Sequence, residues 1–261
     1  MAFGGSSYGS SPEVQTLCEL LITQIAKSNA KSLVIFDLQG PDGQSFAFGT
    51  WLADEISDTL RTSGHIKVIA RADLARELKD RQISEDALKP EDKMRVSEAL
   101  GADVFVDGTF GAIADYIGAT LVARNQADYG KGTYTIMVNG KILVDPTVRT
   151  KLGVPLESLR PSDGIFKSGR AGMTVPHCNY CPIPKFSPKG VWSKKQGTVV
   201  LALLVSTDGR PTQIKVLQSI GTDLDNQAIA AARAYRFEPA VDPDGRPVEV
   251  LMPYKVTFHV E

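Results

Sequence analysis

No stretch of this chain approaches the roughly 18 to 20 consecutive apolar residues that span a bilayer, so the 261 residues as given are expected to be soluble. Net charge is nearly absent too. Lysine and arginine number 29 against 30 aspartates and glutamates, and the isoelectric point near 6.3 leaves no basic face to displace counterions from phosphates. Nucleic-acid binding is therefore not expected. Cysteine is scarce, at three, which excludes a disulfide framework; histidine is equally scarce, also at three. The opening MAFGGSSYGSSPEV has neither a basic n-region nor an apolar h-region, so it is no intact secretory signal and reads as a matured or truncated start.

What is present suits two small domains, at roughly 150 residues per domain. Residues 1–12 carry no hydrophobic period and read as a flexible tail. From Glu13, Val14, Leu17, Leu21, Ile22 and Ile25 recur at three- and four-residue spacing and predict an amphipathic helix, with Cys18 as a small core residue beside the stripe. SLVIFDL, 32 to 38, predicts a buried strand ending in the loop Gln39 to Gly43. A helix follows on Phe48, Trp51, Leu52, Ile56 and Leu60, stopped by Arg61 to Gly64. Then come a strand (66 to 70), a helix with Leu74 and Leu78 four apart, and a helix opened by Pro90 and ended at Gly101. DVFVDGTF, YIGATLVAR and GTYTIMV, with KILVDP closing, predict strands in antiparallel hairpins. Residues 13–149 are thus expected to form an α/β sandwich with a mixed sheet.

Over 150–181 the composition turns to Gly, Pro and Ser with no usable period, which predicts an extended linker and the domain boundary. From 182 to 261 the pattern sharpens. GTVVLALLVSTDGRPTQIKVLQS predicts a hairpin about Thr-Asp-Gly-Arg-Pro. Thr222 and Asp223 are expected to cap a helix bearing Leu224, Ala228, Ala231 and Tyr235, stopped by Pro239. In the last strand Val248, Val250, Met252, Tyr254, Val256, Phe258 and Val260 alternate with polar residues, so one face is buried. The fold class expected for the whole chain is α+β, its second domain a helix on a three-stranded antiparallel sheet.

Few residue groups suggest chemistry. The loop Gln39 to Gly43 follows a strand, where open α/β sheets bind ligands, but it lacks the phosphate-loop and dinucleotide glycine patterns and reads as a plain turn. Asp37 and Asp42 have no nearby His or Lys, so no acid/base role is expected. His177-Cys178-Asn179-Tyr180-Cys181-Pro182 admits zinc, a redox dithiol or a disulfide. Zinc needs four ligands, and neither His65 nor His259 belongs to a ligand pair. A redox dithiol prefers a helix N-terminus, whereas Pro176, Pro182 and Pro184 make this segment extended.

The segment from Pro182 onward resembles the C-terminal domain of TonB-type energy transducers. The likeness rests on an aromatic after proline (Phe186), Gly197 opening a strand, Val-x-x-Asp-Gly as Val205 to Gly209 with Asp208, and Leu-Asp-x-x-Ala as Leu224, Asp225 and Ala228. Aromatic-x-Phe-x-Pro-Ala follows as Tyr235, Phe237, Pro239 and Ala240, and Gly-x-Pro-Val as Gly245, Pro247 and Val248. Gly190 departs from the family's usual Ala, and with Pro188 it puts the family's first helix in doubt. The resemblance implies a periplasmic β-α-β module whose last strand is a sheet edge that pairs with a short segment of an outer-membrane receptor. It also implies an N-terminal membrane anchor, which these residues lack, so force transmission is not expected from them alone. Membrane contact would come only through a missing anchor or a partner. Residues 32–110 resemble, more distantly, the α/β domains of CsgG, FlgO and the TolB N-terminal domain, through Arg71 and Leu100 to Asp103.

In the oxidising compartment this implies, Cys178 and Cys181 read as a disulfide. Pro253 has no N–H, so it sits where no ladder bond is needed; Leu251, Lys255, Thr257 and His259 share its parity and are expected to offer their main-chain groups to an added strand. A β-bulge at Met252 to Pro253 is the alternative. The expectation is a non-enzymatic envelope protein without metal or cofactor, binding a TonB-dependent receptor or another envelope protein. The rival is an assembly adaptor that homodimerises through the same edge.

Overall fold

The computed structural model describes residues 11–85, 88–125, 135–184 and 196–258. The chain divides into two compact units, Met1–Ser162 and Asp163–Glu261. The first unit contains α1 (Pro12–Ile25), β1 (Ser32–Gln39), α2 (Ala47–Ser63), β2 (Lys67–Val68), α3 (Arg71–Asp80), α4 (Pro90–Ala99), β3 (Val104–Ile113), β4 (Tyr116–Asn125), β5 (Thr135–Leu143) and α5 (Pro146–Leu152).

Helix α1 begins where the chain first offers a cap. The Ser11 hydroxyl accepts from the Val14 N–H at 3.3 Å, and Pro12 occupies the first turn, where its missing donor costs nothing. Its apolar stripe, Val14, Leu17, Cys18, Leu21 and Ile25, is buried. Gly64 ends α2 in the left-handed region at φ 69°, a conformation that favours glycine.

The sheet order is β2-β1-β3-β4-β5, with β2, β1 and β3 parallel and β3, β4 and β5 antiparallel. From β1 the chain crosses through α2 to one neighbour, then returns through α3 and α4 to the other. Two right-handed crossovers in opposite directions put their helices on opposite faces. Strand β1 is accordingly buried on both sides. Leu33 and Ile35 join the core with α1, α2 and α5, whereas Val34 and Phe36 join the core with α3 and α4. Each such side chain stabilises the fold by about 1.5–3 kcal/mol relative to exposure.

The stretch read as linker is divided between the units. Helix α5 and a 3-10 turn at Leu156–Leu159 pack on the first core, where Val148, Leu152 and Leu159 are buried. Residues from Asp163 onward lie on the second unit, with Ala171 and Met173 buried. Isolated apolar residues in a glycine-rich stretch show no period, yet each fills a place on a surface that already exists.

The second unit contains β6 (Phe166–Lys167), β7 (His177–Tyr180), β8 (Gly197–Val205), β9 (Pro211–Gln218), α6 (Thr222–Ala232), β10 (Arg236–Glu238), β11 (Ala240–Val241), β12 (Pro247–Val248) and β13 (Val250–Phe258). Its main sheet has the order β6-β13-β8-β9. The antiparallel trio β13-β8-β9 carries α6 on one face, where Val199, Leu201, Leu203, Leu224, Ala228, Val256 and Phe258 form the core. Strand β6 adds a fourth, parallel member.

Two measurements check this account of the first unit. A Cβ on Gly49 would stand 1.9 Å from the Leu38 carbonyl oxygen, so Gly49→Ala must push α2 off β1. Denaturant unfolding should show a loss of about 2–4 kcal/mol. Asp103 accepts from the Lys31 N–H at 2.7 Å and from the Ser32 N–H at 3.0 Å, and these bonds hold its carboxyl below the usual range, the Lys31 N–H contributing most. A lowered folded pKa stabilises fully above the unfolded value, about 3.9, and the gain is lost as pH falls through the lower folded value. Because this carboxylate is solvent-screened, Asp103→Ala should cost only about 1 kcal/mol at pH 7. The difference from the parent should vanish in strong acid.

Candidate functional site

The motif residues of the second unit hold one another in place. Gly209 lies in the turn between β8 and β9 at φ 77°, and a Cβ there would stand 1.9 Å from the Phe237 carbonyl oxygen. The Phe237 N–H donates to the Gly209 carbonyl at 2.9 Å, so the turn docks directly on β10. Beside it, the Ser206 hydroxyl donates to Asp208, which lowers that exposed carboxyl's pKa, and Arg210 pairs with it at 3.1 Å. Gly197 has φ 152°, with Ile220 3.3 Å from where a Cβ would be. Gly245, at φ 79°, closes the turn between β11 and β12, where Asp242 accepts from the Asp244 and Arg246 N–H groups, each at 2.9 Å. Ala240 pairs with Val248, Val241 with Pro247, and Pro239 joins β10 to β11.

The start of α6 corrects one expectation. Its N-cap is Gly221, which has no side chain to offer, rather than Thr222 or Asp223. The carboxylate that serves this end is Asp225, one turn inside. It reaches back to accept from the Ile220 N–H at 3.2 Å and from the Ser219 hydroxyl. Leu224 and Ala228 are buried under it. The rings of Tyr235, Phe237 and Tyr254 form a triangle with centroids 5.3–6.1 Å apart. Burial, aided by Tyr254, pushes the Tyr235 phenol up to about 12. The motif is architecture: Gly197 and Gly209 permit close approach, Gly245 supplies a left-handed turn, and Asp208 and Asp225 tie loops.

What this architecture presents is β13. It runs against β8 in unbroken antiparallel register from Val250 opposite Val205 to Phe258 opposite Gly197, with no bulge at Met252 to Pro253. The Ser168 N–H donates to the Leu251 carbonyl at 3.0 Å, so Leu251 turns its main-chain groups away from β8. Alternation gives Pro253, Lys255 and Thr257 the same direction and turns Met252, Tyr254 and Val256 toward β8. Leu251 is already paired with Lys167 of β6. Among the described residues, no strand pairs with that side of β13 beyond Leu251. The Pro253, Lys255 and Thr257 side chains are exposed on the face away from α6, where the Thr198 and Thr257 hydroxyls meet at 3.2 Å. His259, Phe186, Pro188 and Gly190 lie outside the described residues.

Cys178 and Cys181 form a disulfide. Cys178 lies in β7 opposite Phe237 of β10, and both cysteines pack against the core beneath α6. Cys18 is a buried free thiol, pushed up to about 12 by burial and, less, by Glu19.

In the first unit, Asp37 and Asp42 do not meet. Asp42 accepts from the Ser162 N–H at 3.0 Å, and the loop around it closes by a Gly40 N–H to Gln44 carbonyl bond of 2.7 Å. Asp37 sits at a cationic hub that sequence reasoning missed. Arg71 donates to Asp37, to Asp54 at 2.9 Å and to the Ile35 carbonyl at 2.8 Å, with Glu85 at 3.5 Å. Burial opposes the Arg71 charge, but Asp37 and Glu85 outweigh it and raise the pKa; burial raises that of Glu85. These partners lie 14 to 36 positions from Arg71, so no local spacing announces them. A groove of about 860 Å³ is lined by Trp51, Glu55, Leu143, Asp145 and Lys151. Two of its carboxylates are engaged: Asp145 accepts from the Val148 N–H at 2.7 Å, and Glu55 from Trp51.

Comparison with known proteins gives a family match within the second unit and structural matches that extend over more of the chain than that unit. Residues 183–260 match the family model described as Gram-negative bacterial TonB protein C-terminal. No curated protein matches the chain. Among solved structures, the chain is similar to the TonB C-terminal domain of Pseudomonas aeruginosa, at 24% identity and TM-score 0.29, over 33% of this chain and 87% of that one. It is also similar to the LpoB C-terminal domain from Escherichia coli, at 9% identity and TM-score 0.40, over 50% of this chain and 98% of that one. Lipoprotein GNA1162 from Neisseria meningitidis is similar at 10% identity and TM-score 0.35, over 45% and 83%.

Thiol labelling tests the cysteine assignment. Native protein should take up no alkylating reagent at pH 8, reduction should expose two reactive thiols at Cys178 and Cys181, and Cys18 should react only after unfolding. Labelling of Cys178 and Cys181 before reduction, read by mass spectrometry, would contradict it.

Proposed function

We propose, from the match of residues 183–260 to the TonB C-terminal family model, that the protein is a non-catalytic component of the Gram-negative periplasm that binds an extended segment of an outer-membrane receptor by strand addition to β13. The observation that carries this reading is the outward main chain of Lys255 and Thr257, which no described strand pairs. An exposed sheet edge supplies affinity through its main-chain bonds and selectivity through the side chains beside them. Pro253 suits this role, since its missing N–H removes a donor on the outer side and leaves the ladder to β8 intact.

Beyond Leu251, the acceptor edge is held in place before any strand arrives. Val256 and Phe258 are anchored in the core, and nine consecutive residue pairs hold β13 to β8, so the acceptor is rigid before it binds. Preorganisation of this kind lowers the ordering cost, which falls mainly on the incoming peptide.

The test uses the full chain and synthetic ten-residue peptides copied from the N-terminal segments of the same bacterium's outer-membrane receptors. Thr257→Pro deletes an outward donor and should weaken binding by about five- to tenfold, the worth of one main-chain bond, with melting temperature nearly unchanged. Val256→Pro deletes an N–H that faces β8 and should instead destabilise the unit by about 3 kcal/mol. Equal peptide affinity for the parent and Thr257→Pro would refute the reading, and a parent dimer that Thr257→Pro dissociates would favour the adaptor alternative.

A further inference from the structure

Strand β6 occupies part of the edge that the proposed partner would use. Phe166 pairs with Val250 and Lys167 with Leu251, both in parallel register, and the Ser168 N–H fills the Leu251 carbonyl. The chain has thus performed strand addition on itself, at one end of β13.

The attachment is slight. Strand β6 is two residues long, with Phe166 half-buried and Lys167 exposed. It is bounded by glycines at φ 72° (Gly164) and φ 67° (Gly169), conformations that glycine adopts without steric cost. The chain beyond Gly169 is held independently. Met173 is buried, its N–H donates to the Arg170 carbonyl at 2.9 Å, and the Thr174 N–H donates to the Val241 carbonyl at 3.0 Å. The Thr174 hydroxyl accepts from the Val241 N–H at 2.8 Å, and β7 follows, paired with β10 and closed by the Cys178–Cys181 disulfide. A segment fixed so firmly downstream can release β6 without leaving the domain, which keeps β6 at high effective concentration beside its site.

Resting on the strand-addition reading above, we infer that β6 is an internal competitor: it closes the Leu251 end of the acceptor edge, and a partner strand that runs the length of β13 must displace it. With β6 in place, an incoming strand finds the Pro253 carbonyl and the main-chain groups of Lys255 and Thr257. With β6 displaced, Leu251 joins them. The partner class is an extended peptide long enough to reach Leu251, and shorter peptides gain nothing from the displacement.

Ser168→Pro removes the donor to Leu251 without touching β13. In the full chain it should bind the ten-residue receptor-derived peptides about five- to tenfold more tightly than the parent, while a five-residue truncation binds both equally. Hydrogen exchange on the parent gives a readout that does not depend on the variant: protection of the Ser168 amide should fall when the ten-residue peptide binds. If binding depends on Thr257 but Ser168→Pro matches the parent and the Ser168 amide stays protected, the competition is refuted and the acceptor reading stands. If Thr257→Pro also binds like the parent, the acceptor reading itself is refuted, and the competition with it.

Discussion

The nine-pair antiparallel ladder between β8 and β13 is the constraint on which the second unit depends. Once that register is set, parity decides everything else about β13: which residues enter the core under α6, which main-chain groups satisfy one another, and which face outward. A one-residue slip would expose Val256 and Phe258 and bury Lys255. The register is protected from both ends. Gly209 allows the β8–β9 turn to seat on Phe237, and Gly197 lets the other end of β8 pass close to Ile220.

The two units meet the same difficulty, polar groups in an apolar interior, in different ways. In the first, ionic side chains converge on Arg71, and Lys93 is buried against Asp107 at 3.1 Å with its ammonium 5.4 Å from the centre of the Phe36 ring. Burying charge without a partner costs several kcal/mol, so each ion here has a counter-ion. In the second, the work falls to short aspartates that accept backbone N–H groups, at Asp225 and Asp242. The first arrangement fixes helices against a sheet. The second fixes loops.

Helices and most strands could be read from local pattern because burial repeats along them. Val14, Leu17, Leu21 and Ile25 mark α1, and Gly64 stops α2 where its φ favours glycine. Strands β6 and β7 could not be read. A strand of two residues has no period, and Phe166 and Cys178 gain their places only from Val250 and Phe237, 84 and 59 positions away. The helix cap was misread for a related reason: Thr222 and Asp223 have the right chemistry for a cap, but the turn at Gly221 gives the task to Asp225.

The sequence by itself determined the class of each unit, the motif of the second and the parity of β13. Those follow from side-chain periodicity and from a proline that cannot donate. The tertiary structure alone decided that the glycine-rich stretch is divided between the units, that Arg71 gathers three carboxylates, and that the edge at Leu251 is occupied. Each of these is a pairing between residues far apart in the chain. Its energy comes from a surface that exists only after the local elements have packed.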